Sequence, residues 1–452
     1  MKELNINSLL NLELINNETI YVYSKHNSIR LNYTCQFIFN HVLKCNFKLI
    51  TSINDFENYK GPKINYSLNY INASINIPES EFLNNACPIN NKLNIEIENT
   101  TKFILFKNEN INFEFNFDLF SAVFACISRY EEWVNTDFDN HNRFEIKSSI
   151  FYKNNCHLEP IVDEWIMQLK NLIEKKYNCN LSNNSFKQIS TIDIDNLYAY
   201  KYKGFVRNFG GLIKDLFKLK FKLILQRISV CLNITKDPFD VYEQIIKYLN
   251  NTKTDVVFFY LLNTGNTFDR TLNPLNKAFK ENIKKISRLV LTGLHPSYYS
   301  SIHKEILNRE VNLFKELTGN EVKISRQHYL KFDIKSTPNW LQSNNIQADF
   351  TMGFASKAGF RAGTSYPFYY FDFKTNMPLK LLAVPFCAMD GAYTIYESTQ
   401  HDKAIKQLLQ LKDKVKNVGG LFITVFHERT FSTLHYNNAS QLFYQLYNTN
   451  CN

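Results

Sequence analysis

Residues 255–262 read AspValValPhePheTyrLeuLeu, an almost wholly apolar run. A strand with one face in water alternates apolar and polar side chains. An unbroken run instead predicts a strand buried on both faces, as in a parallel sheet covered by helices. The pattern recurs. Strand-like runs are expected at Ser190–Ile194, Leu289–Leu294, Val322–Ser325, Ala348–Met352, Lys380–Pro385 and Leu421–Phe426. Helical spacing lies between them, mainly over Leu197–Asn250, Lys277–Ile286 and Ser301–Leu317. This alternation, sustained over about 260 residues, predicts parallel βα units. In such folds sites form at the carboxyl ends of the strands. Polar residues recur at those ends: Asp193 and Asp195, His295, Arg326 and His328, His427. They are expected to converge on one face.

The stretch SerThrIleAspIleAspAsn, 190–196, carries the sharpest signal. Side chains alternate across a strand, so Asp193 and Asp195 should point the same way. Carboxylates that close repel unless a cation or a shared proton separates them. A divalent metal, with one carboxylate as ligand and the other as base, resolves the repulsion. The plainer alternative is a strand end whose Asp side chains cap the next helix or face water.

At 452 residues the chain should hold two or three domains. A hydrophobic fraction of 44% and an aromatic fraction of 15% suffice for buried cores and exclude global disorder. The net charge of +10 is weak evidence about partners, because heavy use of Lys, Asn, Ile, Phe and Tyr follows the drift of an AT-rich genome. The densest basic cluster, Lys214–Arg227, reads first as a solvated helix face. Its sharper reading is a peripheral contact with a membrane surface or polyanion. The nine cysteines include no C-x-x-C pair, which argues against a disulfide framework and a cysteine zinc cluster. The N-terminus does not read as a signal peptide, and no run is long and apolar enough to span a membrane. A cytoplasmic protein with no nucleic-acid partner is expected.

Residues 1–180 are expected to form a separate N-terminal α/β domain. Strand-like runs lie at Thr19–Tyr23, Phe47–Thr51, Lys63–Ile71 and Thr101–Lys107, and helical ones at Ser28–Cys45, Phe117–Trp133 and Pro160–Lys175. Arg129, Glu131, Glu132 and the segment Asp137–Phe144 could form a site, but read first as a surface salt-bridge network bracing a domain boundary. Tyr177–Lys187 is the expected linker.

The ordered set ThrIleAspIleAsp, GlyLeuHisProSerTyr, SerArgGlnHisTyrLeu, AspPheThrMetGlyPhe and PheHisGlu resembles the polysaccharide deacetylases, carbohydrate esterase family 4. The likeness covers roughly residues 187–430 and is nearest a bacterial branch with an extra N-terminal domain. It implies a distorted (β/α) barrel over 187–452, preceded by the N-terminal α/β domain over 1–180. It also implies metal-dependent hydrolysis of an N-acetyl or related acyl group on an amino sugar of a glycan or glycan precursor. By the resemblance Asp193 is the catalytic base, Arg326 orients it, and His427 is the general acid. Asp195 and His295 are metal ligands. Asp349, Arg361 and Tyr298 are candidate substrate contacts. The implied cofactor is a divalent metal, zinc before cobalt or nickel.

One departure stands out. The family carries a second His four residues after the first, and Tyr299 occupies that position here. His303 lies too far along a helix to share an ion with His295. His328 is the candidate replacement. Two other functions fit the same residues: a sugar-binding relative that lost a ligand, and a glycosyltransferase using Asp-x-Asp to hold a metal–nucleotide.

Overall fold

The structure, a computed structural model, describes residues 6–15, 18–84, 95–98, 102–110, 112–181, 185–396, 400–432 and 439–448. Thr101, Cys87 and Cys451 lie outside the described residues. The seven described cysteines are all free thiols.

The N-terminal region builds a parallel four-stranded sheet from β1 (Thr19–Tyr23), β2 (Asn46–Ile50), β3 (Lys63–Tyr66) and β4 (Ile75–Ile77), in the order β2-β1-β3-β4. An antiparallel pair, β5 (Ile95–Glu98) and β6 (Lys102–Leu105), follows. The predicted helix at 28–45 forms as Ile29–Cys35 continued by a wider turn over Gln36–Val42. The helix predicted at 117–133 breaks in two, Leu119–Ile127 and Tyr130–Val134, because Arg129 adopts a left-handed conformation, φ 55°.

The second sheet has nine strands: β7 (Lys187–Ile194), β8 (Asp255–Leu261), β9 (Leu291–His295), β10 (Ile324–Ser325), β11 (Ala348–Asp349), β12 (Phe368–Asp372), β13 (Met377–Ala383), β14 (Ala388–Met389) and β15 (Leu421–His427). Their order is β12-β13-β11-β10-β9-β8-β7-β15-β14. All pair in parallel except β12, which runs antiparallel to β13 at one edge. The sheet curls into a half-barrel, and its edge strands β12 and β14 do not pair to close it. The expected barrel is therefore open. At the β12 edge the N-terminal region packs against the sheet.

That contact is extensive. Tyr33 donates its hydroxyl to the Tyr369 carbonyl at 2.5 Å, and the rings of Tyr33 and Phe124 pack on Phe371 at 5.2 and 5.1 Å. Asp163 accepts hydrogen bonds from Ser365 and Thr364. Gly363 sits at φ 67°, and a Cβ there would lie 2.6 Å from Phe151, so the loop 359–368 needs glycine twice over. Arg361 forms a two-pronged pair with Glu132, both contacts 2.7 Å, while Arg129 bonds Glu131 and Glu132. This network was expected at the surface, but it is buried. Arg361, read as a possible substrate contact, meets an acidic neighbour instead.

Breaking a buried ion pair by removing one partner leaves an uncompensated charge. Arg361→Leu should therefore cost about 3–5 kcal/mol in denaturant unfolding, a far larger loss than an exposed pair would give. An effect below about 1 kcal/mol would show that Arg129 alone satisfies Glu132.

Candidate metal centre

Register carries the candidate residues together. β7 is flanked by β15 and β8, so Asp193 stands opposite His427 on one side and Phe259 on the other. β8 leads to β9, where Leu261 pairs with His295, and Leu294 then pairs with Ser325 of β10. Gly293 lets these strands close up: a Cβ there would lie 2.7 Å from Ile324 and Phe259. The fronts of β7, β9, β10 and β15 thus deliver Asp193, Asp195, His295, Arg326, His328 and His427 to one place.

Asp193 is buried, with its Oδ1 2.7 Å from the Arg326 guanidinium. Arg326 is fully buried; it also donates to the Phe350 carbonyl and lies over the Phe259 ring at 4.7 Å. Asp195 lies just beyond the strand. Its Oδ1 is 3.4 Å from His295 Nε2 and 3.5 Å from His328 Nε2. Its Oδ2 is 2.8 Å from Arg429 and 3.8 Å from His427 Nε2. Burial alone would raise the Asp195 pKa, but Arg429, His328, His295 and His427 outweigh it and hold the group well below the usual carboxylate range.

Each imidazole is fixed through Nδ1. His295 donates to the Arg326 carbonyl at 2.5 Å, His328 to Asp269 at 2.7 Å, and His427 to Asp390 at 2.7 Å. With Nδ1 committed, each Nε2 faces the cluster, which is how metal-binding histidines are usually held. Asp195, His295 and His328 each offer an atom within 4.8 Å of the other two. Asp195 Oδ1 is buried and has no hydrogen-bond partner among the described residues. Two ligands on a tetrahedral zinc, each about 2.0–2.1 Å away, stand about 3.4 Å apart. The 3.4 and 3.5 Å separations match that spacing, so the three residues fit a divalent cation.

Burial would lower His427, but Asp390 outweighs it and, with Asp195, brings the imidazolium to about 9. Burial and the Asp195 charge push Glu428 up to about 8, where its carboxyl also accepts the Asp195 backbone N–H at 3.1 Å. The site opens into a cavity of about 590 Å³, in the range of small-ligand pockets. Phe268, Tyr329, Tyr396 and Met389 supply apolar wall, and Arg143, Arg270 and Arg429 supply charge.

The other predicted contacts lie elsewhere. Asp349 is fully buried behind the site, accepting from Ser325, Thr351 and Tyr370, and does not line the cavity. Tyr298 stacks on the lining residue Phe268 at 3.9 Å and meets His141 at 3.1 Å, one layer back from the cavity. Tyr299 is half-buried in the same aromatic group, and exposed His303 only precedes the helix Lys304–Thr318. Other participants were no sequence candidates. Asp269 and Arg429 carry no local signal, Asp390 belongs to an Asp-Gly pair with the chemistry of a turn, and Arg143 was read as part of a salt bridge; it does pair with Asp139 at 2.7 Å, yet it also lines the cavity.

A family of unknown function (DUF7033) matches residues 20–178. No curated protein matches the chain. Among solved structures, a Mycobacterium smegmatis protein assigned as a polysaccharide deacetylase aligns at 12% identity and TM-score 0.37, covering 60% of this chain and 87% of its own. A mutant of BA3943, a CE4 family pseudoenzyme with restored activity, aligns at 10% identity and TM-score 0.30, covering 58% and 63%. The Bacillus cereus polysaccharide deacetylase Bc1974 aligns at 11% identity and TM-score 0.26, covering 58% and 85%. Likeness this distant leaves the chemistry to be argued from the residues themselves.

The support under His328 yields a measurement. Purified protein should bind about one zinc, cobalt or nickel ion per chain. Asp195→Ala or His295→Ala should abolish binding, and Asp269→Asn should weaken it roughly 10–100-fold in competition with a chelator. Unchanged affinity in Asp269→Asn would remove His328 from the ligand set.

Proposed function

We propose that the protein is a metal-dependent hydrolase that removes an N-acetyl or related acyl group from an amino sugar of a glycan or glycan precursor. The observation that carries this is the grouping of Asp195, His295 and His328 at metal-ligand spacing, flanked by the Asp193–Arg326 and His427–Asp390 pairs. The acyl amino sugar comes from the resemblance in the strand-end motifs. A zinc, cobalt or nickel ion held by the three ligands would supply Lewis acidity toward the carbonyl and a water of lowered pKa.

The chain's own groups divide the proton work. Asp193 is the base, taking a proton at its Oδ2, the oxygen that Arg326 leaves open. Arg326 pairs with that carboxylate through Oδ1 and fixes its direction. His427 is the acid: Asp390 holds its Nδ1, so the Nε2 proton faces the cluster and can pass to a departing amine. The aromatic wall of the cavity suits a sugar ring. Residues 1–180 act as an accessory domain that completes the cavity with Arg143. The Arg326 pair argues against a glycosyltransferase, because it withholds one of the two carboxylates from a metal–nucleotide.

Asp193→Asn should keep the metal and lose acetate release from N-acetylated glucosamine oligomers, by about 10²–10⁴-fold for loss of a general base. Metal retention with unchanged turnover would remove Asp193 from that role. The acid form of His427 persists below its raised pKa of about 9 and is lost above it. Activity should therefore fall as pH rises through that value, and Asp390→Asn should move the alkaline limb to lower pH. An alkaline limb that stays in place in Asp390→Asn would assign it to another group.

A further inference from the structure

Between β7 and β8 the chain forms a helical hairpin, Gly204–Phe217 and Phe221–Cys231, turned at Leu219 with φ 54°. Its polarity is inverted relative to a packed hairpin. No residue of the first helix is buried. Phe205, Phe209, Ile213, Leu216 and Phe217 recur at helical spacing along one face, and Phe205 and Phe217 are 81% and 86% exposed. Phe221, Leu225 and Ile228 on the second helix, with Leu232 at its C-terminal cap, form the matching exposed stripe. The inner side is polar instead. Arg227 pairs with Asp215 at 2.7 Å, lies over Tyr200 at 4.6 Å, and fills the space above Gly211.

The charge is as lopsided as the apolar exposure. Residues 201–236 contain nine Lys or Arg and one Asp, so they carry +8 of the chain's net +10. Of these, Arg207, Lys214, Lys218, Lys220, Lys222 and Lys236 are exposed. We infer that this hairpin is a membrane-docking element that lies in the interface of an anionic lipid bilayer, its aromatic and aliphatic stripe among the acyl chains and its Lys and Arg at the phosphates. Exposed apolar stripes flanked by cations have that property. A second copy of the chain fits less well, since two surfaces of this charge repel. The basic cleft under the hairpin shares Asn196 and Arg270 with the metal-centre cavity, so docking brings that cavity beside the headgroups. The inference does not depend on catalysis.

The test is co-sedimentation of the full-length protein, in a chelating buffer, with phosphatidylcholine vesicles with and without phosphatidylglycerol. Binding is expected only to the anionic vesicles and should weaken with salt. Phe205→Ser with Phe217→Ser, and separately Lys218→Glu with Lys220→Glu, should each lower partitioning about tenfold or more, with the thermal midpoint unchanged. These positions are exposed, so the variants fold. Absence of vesicle binding by the wild type, or wild-type partitioning of both double variants, would overturn the inference. So would a wild-type dimer that Phe205→Ser with Phe217→Ser dissociates while vesicles capture nothing, which assigns the stripe to a second copy.

Discussion

Four carboxylates, Asp193, Asp195, Asp269 and Asp390, meet at the carboxyl end of one sheet, nearly out of reach of water. Each is answered at close range: Asp193 by Arg326, Asp195 by Arg429, Asp269 by His328 and Asp390 by His427. Buried charge without a partner is too costly to keep. The site is therefore a set of interlocked pairs. The Arg326 carbonyl holds His295, and Asp269 both holds His328 and accepts the Tyr298 N–H. Moving one group unpairs another. The strands beneath gain nothing from charge and are accordingly apolar, β7 and β8 being buried over nearly their whole length.

The legible part of this arrangement followed from period and position. An apolar strand cannot hide a charge in its middle, so charge accumulates at its end. Asp193, Asp195, His295, Arg326, His328 and His427 all stand where an apolar run stops. Helix and strand limits were equally readable where periodicity was strong: Lys277–Ile286 forms as expected, as does β1 at Thr19–Tyr23.

What stayed hidden depends on contacts distant in the chain or on signals with two meanings. Asp390-Gly391 has the chemistry of a turn and also supplies the partner of His427, and nothing local separates the two. Glu132 and Arg361 are 229 positions apart, so no window contains both. The strand Phe368–Asp372 follows a glycine loop, and its antiparallel pairing with β13 is a tertiary choice that the N-terminal region reinforces through Tyr33 and Phe124.

Tyr299 stands where the resemblance expects a histidine, and the fold brings an imidazole to the cluster from elsewhere. The segment after His295 turns rather than coils, and the helix begins only at Lys304, so position 299 lies outside any helical turn shared with 295. Tyr299 joins Phe268 and Tyr298 in an aromatic group with Lys331 over its ring. An imidazole arrives instead from the short turn just after β10, where His328 packs with its ring centre 5.0 Å from that of His295. The chain leaving β10 thus makes two contacts: Arg326 holds Asp193, and two residues on His328 faces Asp195. One short backbone stretch leaving β10 therefore sets the spacing between the Arg326 guanidinium and the His328 imidazole. Asp269, arriving from the loop after β8, then locks the imidazole in place. A histidine at 299 could not share that coupling. The position is free to be aromatic and to serve the packing around the cavity.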